Sequence, residues 1–107
     1  MSSITTHVLD TAHGKPASGI GVALEFESGV EWIPIGRGIT GEDGRCRDLV
    51  PAGVTLKTGI YRLRFDTLRH APFYPRIEIM FRVENASEHF HIPLLLSPFG
   101  YSTYRGS

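Results

Sequence analysis

From Arg76 to Val83 the chain alternates one for one, with Ile77, Ile79, Phe81 and Val83 set against Arg76, Glu78, Met80 and Arg82. A repeat of two sends successive side chains to opposite faces, so this segment reads as a strand with one face in a core. Val22, Leu24 and Phe26 alternate with Ala23, Glu25 and Glu27 in the same way, and Tyr61, Leu63 and Phe65 with Arg62, Arg64 and Asp66. No long amphipathic helix is written in the chain. The one place for a short helical turn is Asp66 to Ala71, ahead of Pro72. The pattern restricts the chain to an all-β fold.

Glycine and proline cut these runs into short pieces. His13-Gly14-Lys15-Pro16, Glu42-Asp43-Gly44, Pro51-Ala52-Gly53 and Pro98-Phe99-Gly100 supply turn chemistry for an antiparallel meander or Greek key. Strands are predicted near 4–10, 20–27, 32–39, 45–50, 59–66, 75–84, 88–96 and 101–105. That many short strands in 107 residues indicate one β-sandwich domain spanning 1–107. No repeat, linker or low-complexity stretch interrupts it.

Eleven basic and eleven acidic residues cancel, which favours neither nucleic acid nor an anionic membrane surface as a partner. No apolar run approaches the ~20 residues of a bilayer span. The first residues lack a basic segment followed by a long apolar one, so a cytoplasmic protein is expected. Cys46 is the one cysteine, which excludes an internal disulfide and any cysteine-based zinc cluster.

Histidines are the candidates for chemistry. If Ile4, Thr6 and Val8 face the core, then Thr5, His7 and Leu9 share the opposite face. Phe90, Ile92, Leu94 and Leu96 form an apolar face, which puts His89 and His91 on the other side of that strand. Imidazole titrates near neutrality and passes protons, so an outward histidine cluster on two strands suits a site. Three imidazoles also suit zinc, and lone surface histidines are commonly just solvated. Arg45 can be simply the first residue after a turn, and the tyrosines of the tail can be packing residues. Ser107 has no Gly-x-Ser-x-Gly context for an acyl-enzyme. The tail Tyr101-Ser102-Thr103-Tyr104-Arg105-Gly106-Ser107 is too aromatic for a disordered end and is expected to tuck into structure.

Five blocks in order carry a resemblance: Thr6-His7-Val8-Leu9-Asp10 with Gly14-Lys15-Pro16-Ala17, Asp43-Gly44-Arg45-Cys46, Phe73-Tyr74-Pro75, His89 to Pro98, and Tyr101 to Ser107. Together they resemble the 5-hydroxyisourate hydrolases, the transthyretin-related enzymes of urate breakdown, nearly end to end. The first block is shared with transthyretin itself; Tyr104-Arg105-Gly106-Ser107 is the mark that separates hydrolases from carriers. The resemblance implies a sandwich of two four-stranded sheets with at most one short helix. It also implies a homotetramer whose central channel holds the active sites where subunits meet. It implies hydrolysis of 5-hydroxyisourate to 2-oxo-4-hydroxy-4-carboxy-5-ureidoimidazoline, and because the ring activates its own leaving group and imidazole and guanidinium serve the chemistry, no cofactor and no metal are expected. His7, Arg45, His91 and Ser107 match the family's catalytic positions; His7 and Arg45 also match substrate-binding ones, as does Tyr104. His89 matches a more variable position. The segment Asp66–Phe73 is shorter than in many members. A transthyretin-type carrier, a histidine metal site and an adhesion-like sandwich are the competing readings.

Overall fold

The structure is a computed structural model that describes residues 3–107. Nine strands run in chain order: β1 (Ile4–Asp10), β2 (Lys15–Pro16), β3 (Gly21–Ser28), β4 (Glu31–Ile39), β5 (Arg45–Cys46), β6 (Gly59–Asp66), β7 (Arg76–Val83), β8 (Phe90–Ser97) and β9 (Gly100–Thr103). They form two sheets. One is four-stranded, in the order β4-β3-β6-β7; the other runs β2-β1-β8-β9, with β5 sharing the β1 edge with β2. That sheet therefore holds five strands, because two two-residue strands divide the edge where one was expected. Among the described residues there is no helix: after Asp66 the amides of His70 and Ala71 both bond to the Thr67 carbonyl, and the turn ends there.

The alternation read from the sequence is the burial seen. Leu24, Leu63, Phe65, Ile77, Val8 and Leu94 are all at most 1% exposed and meet between the sheets. The polar face of the four-stranded sheet carries its own network. Glu25 accepts from Arg62 Nε at 2.6 Å and Arg64 Nη1 at 3.1 Å, and Glu78 stands near both arginines. Burial works to raise the Glu25 carboxyl, but the two guanidiniums outweigh it and hold the group below its ordinary range.

Two differences from the sequence reading have local causes. The strand expected over 45–50 ends at Cys46, because the chain then turns Leu49 fully into the core and lays its carbonyl over β4. Only glycine fits beneath it: a Cβ on Gly36 would stand 1.8 Å from the Leu49 oxygen. Gly36→Ala is accordingly expected to cost about 1–3 kcal/mol, read as a lowered denaturant midpoint at unchanged slope. Second, the topology is not purely antiparallel. β1 pairs β8 in parallel over its whole length, with Thr5 opposite His91 and His7 opposite Pro93. This one pairing brings the histidine-bearing strands together.

Candidate active site

The turn before β5 positions the guanidinium. Gly44, at φ +78°, lets the chain reverse, and the Val8 amide bonds the Gly44 carbonyl at 2.8 Å. A Cβ there would lie 2.4 Å from the Val8 oxygen, so the turn is pressed against β1. Asp43 stiffens it by accepting from the Arg45 amide at 3.0 Å and from Arg47 Nη2 at 2.9 Å. Those bonds, the Arg45 amide first, hold the Asp43 carboxyl below its usual range. Arg45 thereby lands directly opposite His7 in register.

The tail is placed by β8. Pro93 has no N–H to give, and the β8–β9 ladder stops beside it at Leu94↔Thr103. The Thr103 hydroxyl donates instead to the Pro93 carbonyl at 2.6 Å. Pairing resumes as a single bridge, where the Gly106 amide donates to the His91 carbonyl at 2.7 Å. A Cβ on Gly106 would stand 2.7 Å from His91 Cδ2, so the backbone lies on the edge of the imidazole and needs glycine to do so. Arg105 pins the preceding residue through Glu88 at 3.0 Å and by lying 4.7 Å from the Phe90 ring centroid.

The result is a cleft of about 190 Å³ lined by Thr5, Thr6, Arg45, Arg47, His89, His91 and Ser107. Thr5 Oγ1 lies 2.8 Å from His91 Nδ1, which leaves Nε2 as the ring nitrogen without a protein partner among the described residues. Burial first, then the charge of Arg45, then His7 and His89, push the His91 imidazole below its ordinary range. His91 is therefore a neutral imidazole near neutral pH.

Of the site residues expected from the sequence, Arg45, His91 and Ser107 share this cleft. His7 lies beside it, close enough to act on His91, with its Nε2 buried and unpaired. Tyr104 is 55% exposed and is not part of the cleft lining. Thr5 and Arg47 were not singled out by sequence, although period two puts Thr5 on the face of His7 and Arg47 on that of Arg45. Among the described residues no three His, Cys, Asp or Glu side chains come together as a metal site.

The two-sheet sandwich, with an imidazole–guanidinium–hydroxyl cleft on one outer face, has the architecture of the transthyretin class. More narrowly, the chain belongs to the HIUase/Transthyretin family, whose pattern it matches over residues 4–106. It is 44% identical to the 5-hydroxyisourate hydrolase of Caulobacter vibrioides, with the whole of both chains covered. It is 43% identical to that of Mus musculus, covering 99% of this chain and 96% of the other. With the uric acid degradation bifunctional protein of Arabidopsis thaliana it shares 44% identity, but spans only 37% of that longer protein. The fold superposes on the 5-hydroxyisourate hydrolase of Klebsiella pneumoniae with a TM-score of 0.78 at 32% identity, covering both chains fully. On sea bream transthyretin, solved with thyroxine, the score is 0.87 at 27% identity, with 97% and 94% covered.

Proposed function

We propose that this chain hydrolyses 5-hydroxyisourate to 2-oxo-4-hydroxy-4-carboxy-5-ureidoimidazoline in urate degradation. The observation that carries the reading is the Gly106–His91 bridge, which brings the end of the hydrolase-type tail into one cleft with His91 and Arg45. Full-length identity of 44% to a named hydrolase supports it. A carrier needs no such convergence of proton-handling groups.

The substrate's acyl C–N bond opens when water adds to the carbonyl carbon and the ring nitrogen leaves with a proton. His91 Nε2 is cast as the acceptor of the water proton, because that ring is neutral and its other nitrogen is held by Thr5. Arg45 polarises the attacked carbonyl and stabilises the oxyanion as charge develops. His7 is the second imidazole of the proton-handling pair. Ser107 positions water or substrate through its hydroxyl, and Tyr104 orients the ring. The chemistry uses no metal and no cofactor.

The protein acts in the cytoplasm as a homotetramer. At about 190 Å³ the cleft is smaller than the roughly 300–1,000 Å³ of complete ligand sites, so a neighbouring subunit supplies the rest. β7 and β9 are open sheet edges, and Met80, Phe73, Phe99 and Tyr101 leave apolar surface exposed around them. The decisive measurement is the decay of freshly generated 5-hydroxyisourate followed in the ultraviolet. Micromolar protein is expected to accelerate it, before and after exhaustive chelation, with light scattering at four chain masses. Unchanged decay by an intact oligomer would remove the assignment.

A further inference from the structure

His89 has no part in the reaction as drawn and Thr5 only holds His91, yet Thr5 is 5% exposed and its hydroxyl stands between two imidazoles. It lies 2.8 Å from His91 Nδ1 and 3.1 Å from His89 Nε2. A hydroxyl has one proton to donate and lone pairs with which to accept. Accepting from both rings at once would leave its own proton without a partner among the described residues, so the hydroxyl and both ring nitrogens are satisfied together by donating to one ring and accepting from the other. Two arrangements do this. In the first, His91 Nδ1–H donates to Thr5, the Thr5 hydroxyl donates to His89 Nε2, and His91 Nε2 is bare. In the second, His89 Nε2–H donates to Thr5, Thr5 donates to His91 Nδ1, and the His91 proton sits on Nε2. Each neutral imidazole carries one N–H in both, so the proton count is unchanged. A protonated His89 carries hydrogen on both nitrogens, which rules out the first arrangement and leaves the second as the one that also satisfies the hydroxyl proton.

We propose that Thr5 and His89 form a tautomer switch on His91: neutral His89 lets His91 present a bare Nε2 to the cleft, and protonated His89 turns that nitrogen into a donor. Both are positioning residues that act through His91, and the consequence for activity rests on His91 being the base of the proposed reaction.

The groups around the trio come from every neighbouring element. β1 contributes His7, the segment after the Gly44 turn contributes Arg45 and Arg47, and the tail contributes Ser107. Arg105 is paired with Glu88, next to His89. Burial, Arg45, His7 and His89 all act on His91 in one direction, against protonation. With His91 held toward its neutral form, the contact with Thr5 decides which of its nitrogens carries the proton. His89 is exposed and takes its proton from solvent.

The switch is read by two-bond proton–nitrogen spectra of the isotope-labelled protein, which resolve both nitrogens of each ring. As His89 titrates, His91 Nδ1 and Nε2 are expected to shift in opposite directions, the mark of tautomer exchange. Thr5→Val abolishes that response and Thr5→Ser keeps it. In steady state, Thr5→Val lowers kcat by roughly tenfold or more while KM changes by less than about twofold, and Thr5→Ser restores the rate. His89→Ala extends activity to lower pH, since no cation remains to impose the second arrangement. His91 nitrogens indifferent to the His89 titration, or an acid limb unmoved in His89→Ala, would overturn the switch. Opposed shifts in a wild-type protein that does not hydrolyse 5-hydroxyisourate would sustain the switch and defeat the substrate assignment instead.

Discussion

Deleting Tyr104–Ser107 is expected to lower turnover by several orders of magnitude while leaving the assembled sandwich intact. The structural cost is small and can be counted. The deletion removes one backbone bond, Gly106 to the His91 carbonyl, and the exposed Arg105–Glu88 pair with its stacking on Phe90. A net hydrogen bond is worth roughly 1 kcal/mol and an exposed ion pair roughly 0–1. The strand β9 ends at Thr103 and keeps its ladder to β8, including the Thr103 bond to Pro93. The functional cost is larger, because Ser107 leaves the cleft and the His91 ring loses the backbone resting on its edge. Positioning and proton-transfer contributions are each worth roughly 10²–10⁴-fold. Turnover and oligomeric state measured on one truncated preparation separate the two. Near-normal turnover in an intact oligomer would reduce the tail to packing and leave catalysis to His7, Arg45 and His91.

Replacing His91 by Asn is expected to lower kcat/KM by roughly 10²–10⁴-fold and to flatten its pH dependence between about pH 5 and 8. The imidazole is the group burial and Arg45 keep neutral, so it is a proton acceptor where an ordinary histidine would be partly charged. Its sign is definite: a lowered imidazole stays uncharged to lower pH than an ordinary histidine does. Asn retains a polar side chain under Gly106 but takes no proton from water. Residual activity that keeps the wild-type slope with pH would transfer the base role to His7. The profile must be corrected for spontaneous decay of the substrate, measured without protein in the same buffers.

The alternation of β3, β6 and β7 was legible because an outward polar face and an inward apolar one leave period two in the sequence itself. The outward placement of His7, His89 and His91 followed from the same rule. Arg45 and Ser107 were assigned through the resemblance, since nothing in a residue after a turn or at the end of a tail announces a site. The parallel pairing of β1 with β8 was not legible. Turn residues report local reversals, whereas that register is set by two distant strands sharing a core. Thr5 was invisible as a site residue for the same reason, because its two partners are both on the far strand segment. Nor did composition reveal the close approach of Leu49 to Gly36, which shortened the strand expected over 45–50.

The parallel β1–β8 pairing also bears on how the protein comes into being. Thr5 and His91 are 86 residues apart in the chain, and Ser107 reaches their cleft later still. β1 is made long before β8 and keeps its β8 edge unpaired until its partner arrives. Folds built on such distant pairings close in on the order of milliseconds to seconds, since loop-closure entropy is spent before the contacts reward it. A cleft lined by Thr5, His91 and Ser107 together forms only after all three have been made, so it arises late, with the β1–β8 sheet that holds it.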